Sequence, residues 1–119
     1  MRARLIVAMA LAVLLGTAAC KSSPEKLDDA SITACTPGAD DGRPVAEGQV
    51  TNSSSKTSSY SVRVNFFDEA DNKVTEGVDV ATDVEPGSSS PFRVTGVGTM
   101  KGAVDCRVSG VTRNAAPGS

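Results

Sequence analysis

The sequence has no histidine and no tryptophan, and aromatic residues make up only 3% of its 119 positions. Histidine is the side chain used most often for proton transfer near neutral pH, and it is a common zinc ligand. Its absence excludes Ser-His-Asp and Cys-His catalysis and the usual histidine-bearing zinc sites. The carboxylate pairs Asp28-Asp29 and Asp40-Asp41 lack the aromatic platforms of sugar-cleaving sites. We therefore expect no enzyme and no cofactor.

Positive charge is also scarce. The chain has 12 basic and 14 acidic residues, which gives a formal net charge of −2. Two of the basic residues, Arg2 and Arg4, lie in a removable leader, so the mature chain would be still more acidic. Nucleic-acid binding depends on neutralising phosphates. We therefore expect no nucleic-acid partner.

Residues 1–19 have the three zones of a secretory signal. Arg2 and Arg4 form the positive zone, an apolar run extends from Leu5 to Leu15, and small residues precede Cys20. The run is shorter than the roughly 20 residues that a membrane-spanning helix needs, and a permanent transmembrane anchor is the alternative interpretation. We expect the leader to be cleaved and the rest of the chain to be exported.

Cys20 directly follows Ala18 and Ala19, and this end of the leader resembles the lipobox of bacterial lipoproteins. The resemblance implies that the Cys20 sulfur is acylated and that Cys20 becomes the N-terminus, held in membrane lipid. The usual pattern has Leu where this chain has Thr17, so ordinary signal-peptidase cleavage is the alternative. Residues 20–30 are polar and turn-rich, which predicts a flexible tether.

The chain has three cysteines, at positions 20, 35 and 106. If an exported chain pairs its cysteines in disulfides, an odd number leaves one of them without a disulfide partner. Acylation removes Cys20 from the count, and we then expect Cys35 and Cys106 to form a disulfide. A reduced pair with a redox or metal-binding role is the alternative. Neither a CxxC motif nor a third ligand accompanies the two residues.

Between residues 31 and 113 the chain consists of short β-branched runs separated by Gly, Pro, Asn and Ser. Tyr60–Phe66 alternates apolar and polar residues, and the same period in Val78–Val84 predicts that Val78 and Val80 face a core. Together these features predict an all-β, antiparallel β-sandwich of six to seven strands, followed by a disordered tail over residues 114–119. The predicted strands are 31–36, 45–52, 58–68, 73–84, 91–97 and 103–113.

The turns have recognisable chemistry. Asn72 is suited to the left-handed conformation of a hairpin between the third and fourth strands. Pro86 and Gly87 predict a tight turn, and residues 52–57 predict a flexible polar loop.

Three motifs together resemble the FxLYD domain, a small immunoglobulin-like β-sandwich of bacterial exported proteins. They are Gly48-Gln49-Val50-Thr51-Asn52, the strand end Val64-Asn65-Phe66-Phe67-Asp68 and the turn Pro86-Gly87. At two positions of the strand end this chain has a different apolar residue from the family pattern, and Phe67 stands where the pattern has Tyr. Asp68 matches the pattern. The resemblance covers about residues 31–113 and implies a fold without an established catalytic function, so it assigns no site residues.

Two short strings invite chemical interpretations that the sequence does not support. Ser53 and Lys56 match the S-x-x-K string of penicillin-interacting enzymes, but they lie in a loop and no S-D-N element follows. The acidic turn that begins at Asp68 lacks the ligand spacing of an EF-hand calcium loop. We expect the segment with Ser53 and Lys56 to be a solvated loop. We expect the acidic turn to be the solvent-exposed tip of a hairpin.

Phe67 falls on the polar side of its strand, so we expect it to point outward, where it would be a candidate contact for a protein partner. These features favour a non-catalytic, lipid-anchored accessory module that binds another protein of the cell envelope. The alternative is an envelope protein that binds a small ligand or a metal. So small a domain leaves little volume for a pocket of ~300 Å³ or more.

Overall fold

The computed structural model describes residues 27–38 and 41–117. Within them the chain forms a short 3₁₀ helix, Leu27–Asp29, and six strands. The strands are β1 (Ala30–Thr36), β2 (Val45–Thr51), β3 (Ser58–Phe67), β4 (Lys73–Val84), β5 (Ser89–Thr95) and β6 (Asp105–Ala115).

The six strands form two antiparallel sheets that pack face to face, which confirms the predicted β-sandwich. Sheet A has the order β1-β2-β5, and sheet B has the order β4-β3-β6. The predicted strands match the observed ones to within two residues at each end. The largest differences are in β5, which begins at Ser89, and in β6, which extends to Ala115 because Ser58 pairs with that residue. Residues 114 and 115, which were predicted to belong to the disordered tail, are therefore part of β6.

The core lies between the sheets, and β3 at the centre of sheet B supplies more of it than any other strand. Side chains alternate between the two faces of a strand, so β3 directs every second residue inward. Its four inward aromatic and aliphatic side chains, Tyr60, Val62, Val64 and Phe66, are completely buried. Sheet A contributes Val50, Phe92 and Val94 from the opposite side.

The prediction for β4 was wrong for Val78 and Val80, whereas Val84, in the same alternation, is buried as predicted. Val78 and Val80 are 48% and 54% exposed, whereas Gly77 and Ala81 face inward. The reason is the close approach of β5, since a Cβ on Gly77 would lie 2.3 Å from the Thr95 carbonyl oxygen. No side chain fits at Gly77, so this side of β4 cannot hold a continuous row of valines, and Val78 and Val80 lie on the outer face.

The two sheets are joined along both sides of the sandwich. On one side, Cys35 of β1 is bonded to Cys106 of β6. On the other side, the Arg93 N–H of β5 donates to the Asp79 carboxylate of β4 at 2.8 Å. Just beyond β5, the Val97 N–H donates to the Glu76 carbonyl at 2.9 Å. These contacts cover parts of the strand edges that would otherwise be open.

Candidate functional site

The Cys35–Cys106 disulfide is present, as predicted. The two Cα atoms are 5.8 Å apart, and the residues are separated by 71 positions in the sequence. The bond joins an edge strand of each sheet, so it closes a loop that contains nearly the whole sandwich. The predictions for the leader (1–19), for Cys20 and for the first part of the tether concern residues outside the described ones.

Phe67 points outward from the end of β3, as predicted, but its ring is partly covered. The Arg107 guanidinium lies 4.0 Å from the ring centroid, a distance suited to a cation–π interaction. The guanidinium also forms ion pairs with Asp71 and, at 2.8 Å, with Asp105. Hydrogen bonds to these carboxylates, that of Asp71 first, raise the pKa of Arg107 above its ordinary value. The Phe67 ring is therefore half-buried, and the Arg107 guanidinium, which the two carboxylates hold in place, lies over it.

The acidic turn after β3 is held together by the side chain of its first residue. Asp68 accepts hydrogen bonds from the N–H groups of Ala70 and Asn72 at 2.9 and 3.0 Å. The left-handed residue is Asp71, with φ of 66°, and not Asn72 as predicted. A side-chain-capped turn of this kind suits Asp, whose short side chain tolerates positive φ. The carboxylates of Asp68 and Asp71 are thus engaged in structural contacts, and the described residues contain no cluster of three or more potential metal ligands.

A second polar cluster lies at the opposite end of β3, and sequence reasoning missed its central residue. Asn52 is completely buried. Its amide nitrogen donates to the carbonyls of Lys56 and Val84 at 2.7 and 2.8 Å. Its amide oxygen accepts from the Ser54 N–H and hydroxyl at 2.9 and 2.6 Å. The loop over residues 52–57, predicted to be solvated and flexible, is therefore tied to the core by its first residue.

Tyr60 links this cluster to the segment that precedes β1. Its hydroxyl lies 3.0 Å from Asp29 Oδ2 and 3.2 Å from Asn52 Oδ1. Burial of the phenol, together with the hydrogen bond to the Asp29 carboxylate, raises the pKa of Tyr60 from 10.0 to about 12. The neutral phenol therefore remains a hydrogen-bond donor throughout the physiological range.

The Ser53-x-x-Lys56 string belongs to the same loop and has a structural role. The Ser53 hydroxyl donates to Asp29 Oδ1 at 2.8 Å, and the Lys56 carbonyl accepts the Ser58 hydroxyl at 2.8 Å. Neither contact places the Lys56 ammonium group beside the Ser53 hydroxyl.

A surface groove of about 430 Å³ lies over the outer face of sheet A. Its floor includes Thr36, Val45 and Thr95, which are neighbours across β1, β2 and β5. Its polar lining is Asp41, Arg43 and the ion pair between Glu47 and Arg93, whose charged atoms are 3.0 Å apart. This volume exceeds our expectation for so small a domain, because the groove forms outside the sandwich and not between its sheets.

Compared with protein-family models, curated proteins and solved structures, the chain matches none. The resemblance to the FxLYD domain accordingly stays a prediction. No helix among residues 27–38 and 41–117 is long and apolar enough to cross a membrane.

Proposed function

We propose that the chain is an exported lipoprotein anchored to the membrane through an acylated Cys20. Its β-sandwich would then act outside the cytoplasm as a non-catalytic interaction module of the cell envelope. The observation that carries this proposal is the Cys35–Cys106 disulfide.

The disulfide supports export because such bonds form and persist mainly in oxidising compartments. It also accounts for two of the three cysteines and leaves only Cys20. That residue ends a signal-like leader, where simple cleavage would leave an exposed N-terminal thiol. Acylation of Cys20 would account for this third sulfur.

Phe67 and Arg107 support an interaction role for the sandwich. Aromatic residues and arginine are enriched among the residues that dominate protein–protein binding energies. The pair presents a half-buried ring and a guanidinium that two carboxylates hold in place. A surface that is ordered before binding loses little side-chain entropy when a partner covers it.

The groove on sheet A favours a second candidate function, the binding of a small ligand of the envelope. Its volume falls in the range of known ligand sites, and Arg43 and Arg93 supply positive charge to its lining. A thermal-shift screen against metal ions and envelope sugars tests this candidate, since a ligand that binds only the native state raises the melting temperature.

In-cell crosslinking of the full-length chain, followed by pull-down and peptide identification, tests the first proposal. We expect one dominant envelope partner, which would be lost when Cys20→Ser removes the site of acylation. Phe67→Ala should weaken the crosslink to that partner, whereas Ser61→Ala on the same outer face should not. Scattered neighbours that follow protein abundance would contradict an accessory role.

A further inference from the structure

The first strand, β1, is the least buried strand of the sandwich. It lies at the edge of sheet A and pairs with β2 on one side. No residue of the 3₁₀ helix or of β1 is buried, whereas each of the other five strands has at least one buried residue. Ala30 and Ile32 pack against the core, but both stay half-buried. Segments with few buried apolar contacts are those that open locally while the rest of a protein stays folded.

Two different kinds of bond fix the two ends of this segment. At its start, the Asp29 carboxylate accepts the Ser53 hydroxyl at 2.8 Å and the Tyr60 hydroxyl at 3.0 Å. Near its end, Cys35 is covalently bonded to Cys106. Hydrogen bonds to water can replace those at Asp29, so thermal motion can break the first attachment. The second attachment opens only when a thiolate attacks the disulfide.

The two attachments lie at opposite ends of the sandwich. Asp29 contacts Tyr60, which lies near the start of β3. Cys106 pairs with Phe66, which lies near the end of β3. The segment between the two attachments therefore runs along the length of the sandwich. The disulfide is adjacent in sequence to Arg107, which covers the ring that we propose as a partner contact.

We propose that residues 27–34 form a strap that opens as a unit while the other five strands stay folded. The Asp29 carboxylate is the latch that keeps the strap closed, and the disulfide is the stop at which opening ends. Opening moves the point where the chain leaves the sandwich from one end of the domain to the other. It also lengthens the chain between Cys20 and the sandwich from the span 20–29 to the span 20–35. At roughly 3.3 Å per residue, the full reach of that chain rises from about 30 to about 50 Å.

The role of the strap in the cell rests on the proposed acylation of Cys20, whereas its opening does not. In an anchored chain, tension between the membrane and a bound partner favours the open form because that form is longer. Once the strap is open, the load passes through covalent bonds from Cys35 to Cys106 and on to Arg107. The hydrogen bonds between the remaining strands then lie outside the path of the load, so the domain stays folded.

Native-state hydrogen exchange of the full chain in mild detergent, read by mass spectrometry at several low urea concentrations, tests the proposal. We expect the amide groups of residues 30–34 to be protected at least about tenfold less than those of β3. Their protection should depend little on urea, because a local opening exposes little surface. Protection of β3 and β5 should fall steeply with urea. The measurement does not require an acylated Cys20, so its outcome is independent of the proposed anchor.

The variant Asp29→Ala removes the latch. The Tyr60 hydroxyl then keeps Asn52 Oδ1 as an acceptor at 3.2 Å, so the fold should persist. Protection of residues 30–34 should fall by at least about tenfold, whereas that of β3 should not change. Asp28→Ala is the control, because it removes an exposed carboxylate next to the latch and should leave the protection of residues 30–34 unchanged.

A second pair of variants decides the outcome if Asp29→Ala does not fold, which thermal unfolding verifies. Ser53→Ala removes one of the two hydroxyls that hold the latch and should also lower the protection of residues 30–34. Ser55→Ala, at an exposed serine of the same loop, should not. Equal protection and equal urea dependence of residues 30–34 and β3 would overturn the proposal. Protection of residues 30–34 that neither Asp29→Ala nor Ser53→Ala lowers would also overturn it.

Discussion

The Tyr60 hydroxyl lies 3.0 Å from the Asp29 carboxylate, and this contact fastens the start of the sandwich to the centre of sheet B. Asp29 immediately precedes β1 and also accepts the Ser53 hydroxyl. The segment that leads back to Cys20 is therefore fixed to the domain at Asp29. Residues 27–30, which were predicted to belong to the flexible tether, instead form the 3₁₀ helix and the first residue of β1.

Stability should fall at high pH because of Tyr60. Its pKa in the folded chain, about 12, lies above the ordinary 10.0. Below pH 10 the phenol is protonated in both states and contributes no pH dependence. Between about pH 10 and 12 only the unfolded chain loses the proton, so unfolding becomes easier by on the order of 2 to 3 kcal/mol.

Tyr60 is the only tyrosine in the chain, so tyrosinate absorbance reports its titration directly. The Tyr60→Phe variant is the control for stability and should lack this component of the alkaline loss. A titration midpoint at the ordinary value would contradict the contact with Asp29.

Asn52→Ala should cost about 3 kcal/mol of unfolding free energy. The substitution leaves the buried carbonyl of Val84 and the N–H of Ser54 without their side-chain partner, and each buried unsatisfied group costs about 1 to 3 kcal/mol. Urea unfolding measures the loss. The exposed residue Asn114 provides the control, since Asn114→Ala should change stability by no more than about 0.5 kcal/mol. Equal effects of the two substitutions would mean that Asn52 does not hold the loop.

The strands were predictable where large inward residues alternate with polar ones. Tyr60, Val62, Val64 and Phe66 alternate with outward residues such as Arg63, so the facing of β3 follows from the sequence. The turn at Pro86 and Gly87 was also predictable, because Gly87 has φ of 78° and the Ser88 N–H closes the turn on Glu85.

The facing of β4 was not predictable from its own residues. Its valines suggest one inward side, but β5 lies so close to β4 at Gly77 that no side chain fits there, and the inward side carries Gly77 and Ala81 instead. That close approach is a property of the assembled sandwich. When a strand has apolar residues on one side and small residues on the other, the side that faces the core cannot be assigned until the neighbouring strands are known.

The sequence did contain a signal for the Asn52 cluster. Asn52 continues the inward alternation of Gly48 and Val50, so an amide on that side needs buried partners. Gly48 has its own steric reason, because a Cβ there would lie 2.0 Å from the Ser31 carbonyl oxygen. Every fixed residue of the Gly48-x-Val50-x-Asn52 motif thus has a structural role, and none of these roles identifies a ligand.

Phe67 and Arg107 should be energetically coupled. We expect a double-mutant cycle with Phe67→Leu and Arg107→Met to give a coupling of about 0.5 to 1 kcal/mol, the range for exposed cation–π pairs. Chemical unfolding of the four proteins measures it. A cycle between Phe67→Leu and Arg93→Met is the control, because Arg93 lies on sheet A and pairs with Glu47. If the first coupling is no larger than the second, Arg107 does not hold the ring.

Loss of the disulfide should destabilise the sandwich by about 4 kcal/mol, since it closes a long loop in the unfolded chain. Denaturant unfolding of the oxidised and reduced protein measures the difference. The double variant Cys35→Ser and Cys106→Ser should match the reduced protein and should not respond to reductant. An unchanged unfolding midpoint after complete reduction would contradict a stabilising role.

Intact-mass measurement of the protein from the membrane fraction tests the central claim most directly. The account predicts a chain that begins at Cys20, carries the added mass of acyl groups and contains one disulfide, with no free thiol. A mature chain without acyl mass, or one with Cys35 and Cys106 both reduced in native material, would contradict it.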